Sequence, residues 1–223
     1  MRRWAVPVLA GVALILAGCG AQTTQLSWPA APAITLKPNT AYTATIKTSK
    51  GTITIDLFAR RDPVAVNNFV FLADHGFYNG LRFFRVVSGF MVQTGDPSNN
   101  GTGGPGYRFG DELPPTVPYA PGVVAMANSG ANTNGSQFFI CTGSQCNTLP
   151  ANYTELGQVT SGLSVAQSLA AVAVTTNPVT GSQHMPVSNE YMRSVTIHTG
   201  PEPSSSASKT AASTSSSTSS SSS

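Results

Sequence analysis

Apolar and polar positions alternate from Tyr42 to Lys47 and again from Thr52 to Leu57, where Ile53, Ile55 and Leu57 share one face. A repeat of two predicts strands, and Ser49-Lys50-Gly51 between them predicts a hairpin turn. The period then lengthens. Asp62-Pro63 offers an N-cap followed by a proline in the first turn, Val66, Phe69, Val70 and Ala73 recur at helical spacing, and Gly76 follows the end. That predicts one packing helix. The run Leu81–Asp96 (LRFFRVVSGFMVQTGD) reads as strand, tight turn at Ser88-Gly89, and strand again. Asp96 to Asp111 is glycine-rich and aperiodic. Strands are predicted at Gly122–Ala127, Gln137–Thr142 and Tyr153–Val159, with a loop of small polar residues over Asn128–Gly135. A second helix is predicted over Ser164–Ala171, with Ser164 and Gln167 in a capping-box arrangement. Val172–Gly181 reads as loop and Tyr191–His198 as a last strand. About eight strands and two helices suit a mainly β fold, a closed eight-stranded antiparallel β-barrel capped by two α-helices.

The two ends of the chain differ from this middle. Arg2-Arg3, an apolar run from Val6 to Leu16 and then Leu16-Ala17-Gly18-Cys19 have the layout of an export signal. The run is too short to span a bilayer alone. Its last four residues resemble the bacterial lipobox, which implies that residues 1–18 are removed and Cys19 is lipidated. Two acyl chains on one residue give stable anchoring where one does not. The expected location is therefore the extracytoplasmic face of the cell membrane. Residues 19–40, with Pro29, Pro32 and Pro38, read as a flexible tether. Residues 41–200 form the single domain. Residues 201–223 are nearly pure Ser, Thr and Ala, a composition that cannot bury enough apolar surface to order itself.

Net charge is +3, with no basic run beyond Arg2-Arg3 and Arg60-Arg61, so nothing points to nucleic acid. His75, His184 and His198 are scattered, which gives no zinc set and no other metal. Cys141 and Cys146 lie five apart; export permits a disulfide, and a buried Cys141 thiol beside an unrelated exposed Cys146 fits the spacing equally well. Gly101 to Gly106 satisfies G-x-G-x-x-G literally, but Pro105 sits inside it and no helix follows, so it is not a phosphate loop. Asp96-Pro-Ser-Asn-Asn-Gly begins like a calcium loop, yet Tyr107 stands where the bidentate Glu belongs. No G-x-S-x-G is present, which argues against a hydrolase.

The chemistry concentrates in two stretches. In the first, Arg85 is a lone cation among Phe83, Phe84, Val86 and Val87, and Gln93 follows on the partner strand. A guanidinium in such a setting needs its donors paired. The second is Met126–Ile140 (MANSGANTNGSQFFI). Together with FFRVVSGFMVQTGD (83–96) and GTGGPG (101–106), this sequence resembles the cyclophilins, a family of peptidyl-prolyl cis/trans isomerases, over roughly Tyr42 to His198.

The resemblance implies roles for individual residues. Arg85 would donate to the prolyl nitrogen and Gln93 would orient it. Phe90, Met91, Phe139 and Leu149 would form a proline pocket. Asn128 and the backbone of Ala127 would hold the substrate as an added strand, Gln137 would line the groove, and Gly103 and Gly104 would shape the adjacent loop. No cofactor is implied. The expected partners are proline-containing exported polypeptides, met by a monomer that helps them fold. The alternative is a non-catalytic proline-peptide-binding chaperone or scaffold, which would be free to lose Arg85 and Gln93; both are present. Three positions depart from the family pattern. Thr148 aligns with a common Trp, Tyr153 with a common His, and Phe84 with a common His. Tyr153 can still supply an aromatic wall and a hydroxyl. Without the Trp donor, binding of cyclosporin, the family's cyclic-peptide inhibitor, is expected to be weak.

Overall fold

A computed structural model describes residues 25–202. The predicted signal, Cys19 and most of the Ser-rich tail lie outside the described residues. Ten strands, two α-helices and one 3-10 helix follow in the order β1 (Thr40–Thr48), β2 (Thr52–Leu57), α1 (Pro63–Asp74), β3 (Arg85–Val87), β4 (Met91–Thr94), β5 (Val123–Met126), β6 (Phe138–Cys141), the 3-10 helix (Ser144–Thr148), β7 (Glu155–Ser161), α2 (Leu163–Ala170), β8 (Val174–Thr175), β9 (Met185–Pro186) and β10 (Met192–Pro201).

Eight of the strands form one antiparallel sheet in the order β10-β1-β2-β7-β5-β6-β4-β3. Its two edges are joined by backbone hydrogen bonds just outside the ladders. Gly80 N–H donates to the Met192 carbonyl (2.7 Å), Met192 N–H to Leu81 (2.9 Å) and Phe83 N–H to Glu190 (2.9 Å). The sheet thus closes on itself as the residue pattern predicts. Period-two alternation sorts the side chains. Ile46, Ile53, Ile55, Val86, Val92, Val124, Met126, Phe138 and Ile140 point inward, where they meet Phe69 and Leu72 of α1 and Leu169 of α2 in one buried core.

Several sequence expectations are corrected. The side chain of Asp62 does not cap α1. The Glu112 carboxylate does so from across the fold, accepting from the N–H groups of Val64 (3.0 Å) and Ala65 (2.9 Å). Proline in the first turn leaves few free N–H groups there, and a carboxylate at this helix end is favoured by the helix dipole. The α2 capping box does not form either. The helix starts one residue earlier, after Gly162 in the left-handed region (φ 82°), and Gln167 reaches instead to the Thr142 carbonyl (3.2 Å). Any Cβ on Gly162 would lie 2.2 Å from the Thr52 carbonyl oxygen, so neither a serine nor a threonine fits at that cap. The loop after α2 contains the short pair β8–β9, and the last strand runs to Pro201.

The largest correction concerns the tether. Residues 25–39 are laid against the domain rather than free of it. Thr35 N–H and the Ala33 carbonyl both bond the Asn67 side chain (2.8 and 3.0 Å), and Lys37 N–H donates to the Tyr42 hydroxyl oxygen (2.7 Å). Trp28 packs edge-on against Phe71 at 5.1 Å between ring centroids. A proline-rich segment is stiff, so fixing it along a surface costs less entropy than fixing a Gly/Ser linker.

Candidate active site

The outward faces of β3, β4, β6 and β5 carry the candidate residues, and the ladder sets them in rows. Arg85 pairs with Gln93, Gln93 with Phe139, and Phe139 with Ala125. In the next outward row Val87 pairs with Met91 and Met91 with Cys141. These residues form a second apolar cluster separate from the barrel core, with Phe90, Leu149 and Tyr153 packed against it. Met91 and Phe139 are therefore not core residues of the barrel interior, which Val92, Phe138 and Ile140 fill instead.

A small pocket of about 130 Å³ opens here. Arg85, Phe90, Met91, Gln93, Ala127, Asn128, Phe139, Leu149 and Tyr153 line it, so every predicted substrate residue but Gln137 meets at one place. Tyr153 stands edge-on to Phe139 (5.4 Å). Its backbone is clamped by Tyr119, whose hydroxyl donates to the Tyr153 carbonyl (2.6 Å) and accepts from the Tyr153 N–H (2.9 Å). Tyr119 was not singled out from the sequence, since a tyrosine in an aperiodic proline-rich loop carries no signal.

The polar groups form a directional chain. The Arg85 guanidinium donates to Gln93 Oε1 (3.3 Å), Gln93 Nε2 donates to Gln137 Oε1 (3.0 Å), and Gln137 Nε2 donates to the carbonyls of Gly103 (2.9 Å) and Gly101 (3.1 Å). Each amide is thereby fixed in one orientation. Arg85 is half-buried, and desolvation lowers its pKa against the pull of the Tyr153 phenol. A guanidinium remains charged all the same, and the dry setting strengthens any bond its free N–H groups make.

Gln137 belongs to a neighbouring open cleft of about 590 Å³, bounded by the loop Gly101–Tyr107 on one side and by Asn128, Ser129 and Thr133 on the other. Gln93, Ala127 and Asn128 are shared between pocket and cleft. The loop is shaped by the buried Asp96 carboxylate, which accepts from the N–H groups of Ser98 (2.7 Å), Asn100 (3.0 Å) and Gly101 (2.5 Å). Gly103 is required there, because a Cβ would fall 2.2 Å from Asp96 Oδ1, whereas Gly104 faces open space. On the far side of Arg85 a smaller recess lies between Phe84 and the loop carrying Asn177, Thr180 and Ser182. Asn177 and Thr180 sit in the stretch Val172–Gly181, read from sequence only as loop, and Ser182 follows it directly.

One expectation changes at this surface. β5 is paired on both sides, and the Ala127 N–H is donated to the Gln137 carbonyl (2.9 Å). The Asn128 side chain bonds the Asn152 carbonyl (2.9 Å). A substrate strand therefore cannot add alongside β5, and contacts to it begin at the strand's end. Thr148 does not line the pocket. It is exposed on the 3-10 helix, its hydroxyl donating to the Gln145 carbonyl (2.8 Å), while the next residue, Leu149, turns in. That helix is tied to β6 by a Cys141–Cys146 disulfide, which resolves the pairing that spacing leaves open. Among the described residues no cluster of His, Cys, Asp and Glu is placed to hold a metal.

The family model described as "Cyclophilin type peptidyl-prolyl cis-trans isomerase/CLD" matches residues 43–197. The chain is 41% identical over 161 residues to peptidyl-prolyl cis-trans isomerase-like 3 of Gallus gallus, covering 70% of this chain and 96% of that one. It is 47% identical over 133 residues to a peptidyl-prolyl cis-trans isomerase of Helicobacter pylori, covering 58% and 80%. The crystal structure of a cyclophilin type isomerase from Cryptosporidium parvum superposes with a TM-score of 0.65 at 31% identity, over 72% of this chain and 99% of that one.

Proposed function

The chain belongs to the cyclophilin family and is a peptidyl-prolyl cis-trans isomerase acting on proline-containing peptides; we propose that it does so outside the cytoplasm, lipid-anchored through Cys19, on exported polypeptides that are still folding. The leader Arg2-Arg3, the apolar run and Leu16-Ala17-Gly18-Cys19 support the anchor. The Cys141–Cys146 disulfide supports the compartment, since such bonds persist where the surroundings are oxidising.

The residue roles follow from the chemistry. Rotation about an X-Pro amide is slow because resonance imposes a barrier of about 18–20 kcal/mol. No covalent step is needed, only tighter binding of the twisted amide than of either planar form. In the twisted form the prolyl nitrogen regains a lone pair. Arg85, aimed by Gln93, donates to that nitrogen, an interaction absent from the planar ground states. Phe139, Met91, Phe90, Leu149 and Tyr153 grip the ring, which fixes one end of the rotor. The backbone at Ala127 and Asn128 holds the other. The observation that carries this reading is the Arg85 guanidinium, fixed by a neutral amide and not by a carboxylate at the mouth of an apolar pocket. A carboxylate partner would neutralise the donor; Gln93 orients it and leaves its charge available.

Expression of the full chain in a bacterial host fed labelled fatty acid tests the anchor. Label and isomerase activity are expected together in the membrane fraction, and Cys19→Ser is expected to remove the label and release the activity. Unlabelled, soluble wild-type protein would overturn the proposal.

A further inference from the structure

The segment just ahead of the barrel touches the substrate cleft from behind. Trp28 N–H donates to the Pro105 carbonyl (2.9 Å). The next residue, Gly106, sits in the left-handed region (φ 95°), and a Cβ there would lie 2.2 Å from Ser27 Oγ and 2.7 Å from the Trp28 carbonyl oxygen. Backbone meets backbone at this point without room for a side chain. The Trp28 ring is seated on α1 and its end, against Phe71 (5.1 Å), His75 (5.6 Å) and Phe77 (5.9 Å). Pro105 and Gly106 line the cleft, on whose inner side Gln137 holds the carbonyls of Gly101 and Gly103. The loop is thus gripped from two directions, by Gln137 within and by Trp28 without. Helix α1 also reaches the cleft wall through Asn68, which donates to the Gly135 carbonyl (2.8 Å) and accepts from the Tyr107 hydroxyl (2.6 Å).

We infer that Trp28 is a positioning residue for substrate selection: it fixes the Gly101–Gly106 loop against α1, and so sets how the cleft receives the substrate residues that lie beyond the proline pocket. A glycine-rich loop is otherwise costly to order, because glycine loses more conformational freedom than any other residue. A loop ordered before binding leaves less to be ordered during it, which raises affinity for whatever the loop touches. The proline pocket itself shares no residue with Ser27–Trp28 or with the Gly101–Gly106 loop. The effect of Trp28 should therefore appear in the preference for long over short peptides. The inference rests on the isomerase reading of the site and deepens it. It also makes the segment between membrane and barrel part of the recognition surface.

The test compares a minimal Ala-Pro-Phe peptide with peptides extended by three residues on either side of it, using the full chain and its Trp28→Ala and Trp28→Phe variants. The ratio of kcat/KM for the preferred long peptide over the minimal one is expected to fall about fivefold in Trp28→Ala. The change should lie in KM, and Trp28→Phe, which keeps a ring on Phe71, should recover much of it. Fluorescence anisotropy of the same peptides reads affinity without turnover, so a failure of catalysis is told apart from a failure of the inference. Amide exchange at Thr102–Gly106 should quicken in Trp28→Ala. An unchanged ratio in both variants, or an equal loss on minimal and long peptides, would overturn the inference. If Trp28→Ala does not fold, Trp28→Leu, which loses the ring but keeps apolar bulk against Phe71, takes its place, and an unchanged ratio in that variant would overturn the inference.

Discussion

Arg85 and Gln93 are direct cross-strand partners, and the guanidinium of one donates to the amide oxygen of the other at 3.3 Å. The β3–β4 register produces this pairing, so the donor proposed for catalysis is positioned by the same hydrogen-bond ladder that builds the barrel. Gln93 is held in turn by Gln137. Gln93→Ala is expected to lower kcat/KM about tenfold, less than loss of Arg85 itself, since orientation is lost and the charge remains. In a double-mutant cycle Gln93 and Gln137 should be non-additive, because removing either breaks the same chain of amides. Steady-state kinetics on a short proline peptide checks both statements.

The disulfide holds the 3-10 helix that delivers Leu149 to the pocket. Closing so short a loop restricts the unfolded chain by about 2 kcal/mol. Cys141→Ser combined with Cys146→Ser should lower the melting temperature, and it should raise KM more than it lowers kcat, because the ring-gripping wall loosens while Arg85 stays in place. Calorimetry and kinetics on the double variant measure the two effects separately.

Asp62 is only 4% exposed, and its Oδ2 has no hydrogen-bond partner among the described residues. Burial first, and then the carboxylates of Glu112 and Glu155, push its pKa from 3.8 up to about 7, with Arg61 opposing. A carboxyl with a raised folded pKa binds more protons folded than unfolded between those two values. Stability from this group is thus fully present below pH 4, falls as pH rises toward about 7, and is level above that. Asp62→Asn removes the ionisation. It should stabilise the fold at pH 8 by on the order of 1–2 kcal/mol and have little effect near pH 4. Urea unfolding of both proteins at the two pH values checks the sign.

Thr148 is exposed beside the pocket, at the position that the sequence resemblance aligns with a Trp. Cyclosporin should therefore bind weakly. Thr148→Trp, which adds an indole donor and apolar area at the rim, is expected to tighten binding about tenfold. Titration of intrinsic fluorescence measures it.

Much of this site was legible because the chemistry is carried by strands. Once Phe83–Asp96 and Met126–Ile140 are read as strands, a period of two puts Arg85, Met91, Gln93 and Phe139 on one face and Val86, Val92, Phe138 and Ile140 on the other. What escaped was non-local. Glu112 caps α1 from a loop some fifty residues on, and nothing in Asp62-Pro63 tells of it. The capping box at Ser164 matched a local pattern that the close packing of Gly162 on Thr52 displaces. Trp28 sits in a stretch whose prolines and small residues read as a tether. Only the three aromatic and imidazole rings gathered by α1 and the turn after it give it a place to dock. Tyr119 bonds the backbone of Tyr153 and the Asn177 amide donates to the Asn100 carbonyl (3.4 Å), contacts between loops that composition does not encode.

The most direct test of the account is isomerisation of a short Ala-Pro-Phe peptide by the wild-type protein beside its Arg85→Ala and Arg85→Lys variants. Arg85→Ala should cost on the order of 10²-fold or more in kcat with little change in peptide affinity, as for any donor that acts only in the transition state. Arg85→Lys should recover little, since an ammonium cannot keep the planar bond to Gln93 while donating to the prolyl nitrogen. Arg85→Ala with wild-type kcat would contradict the account, because the apolar pocket alone would then be turning the bond.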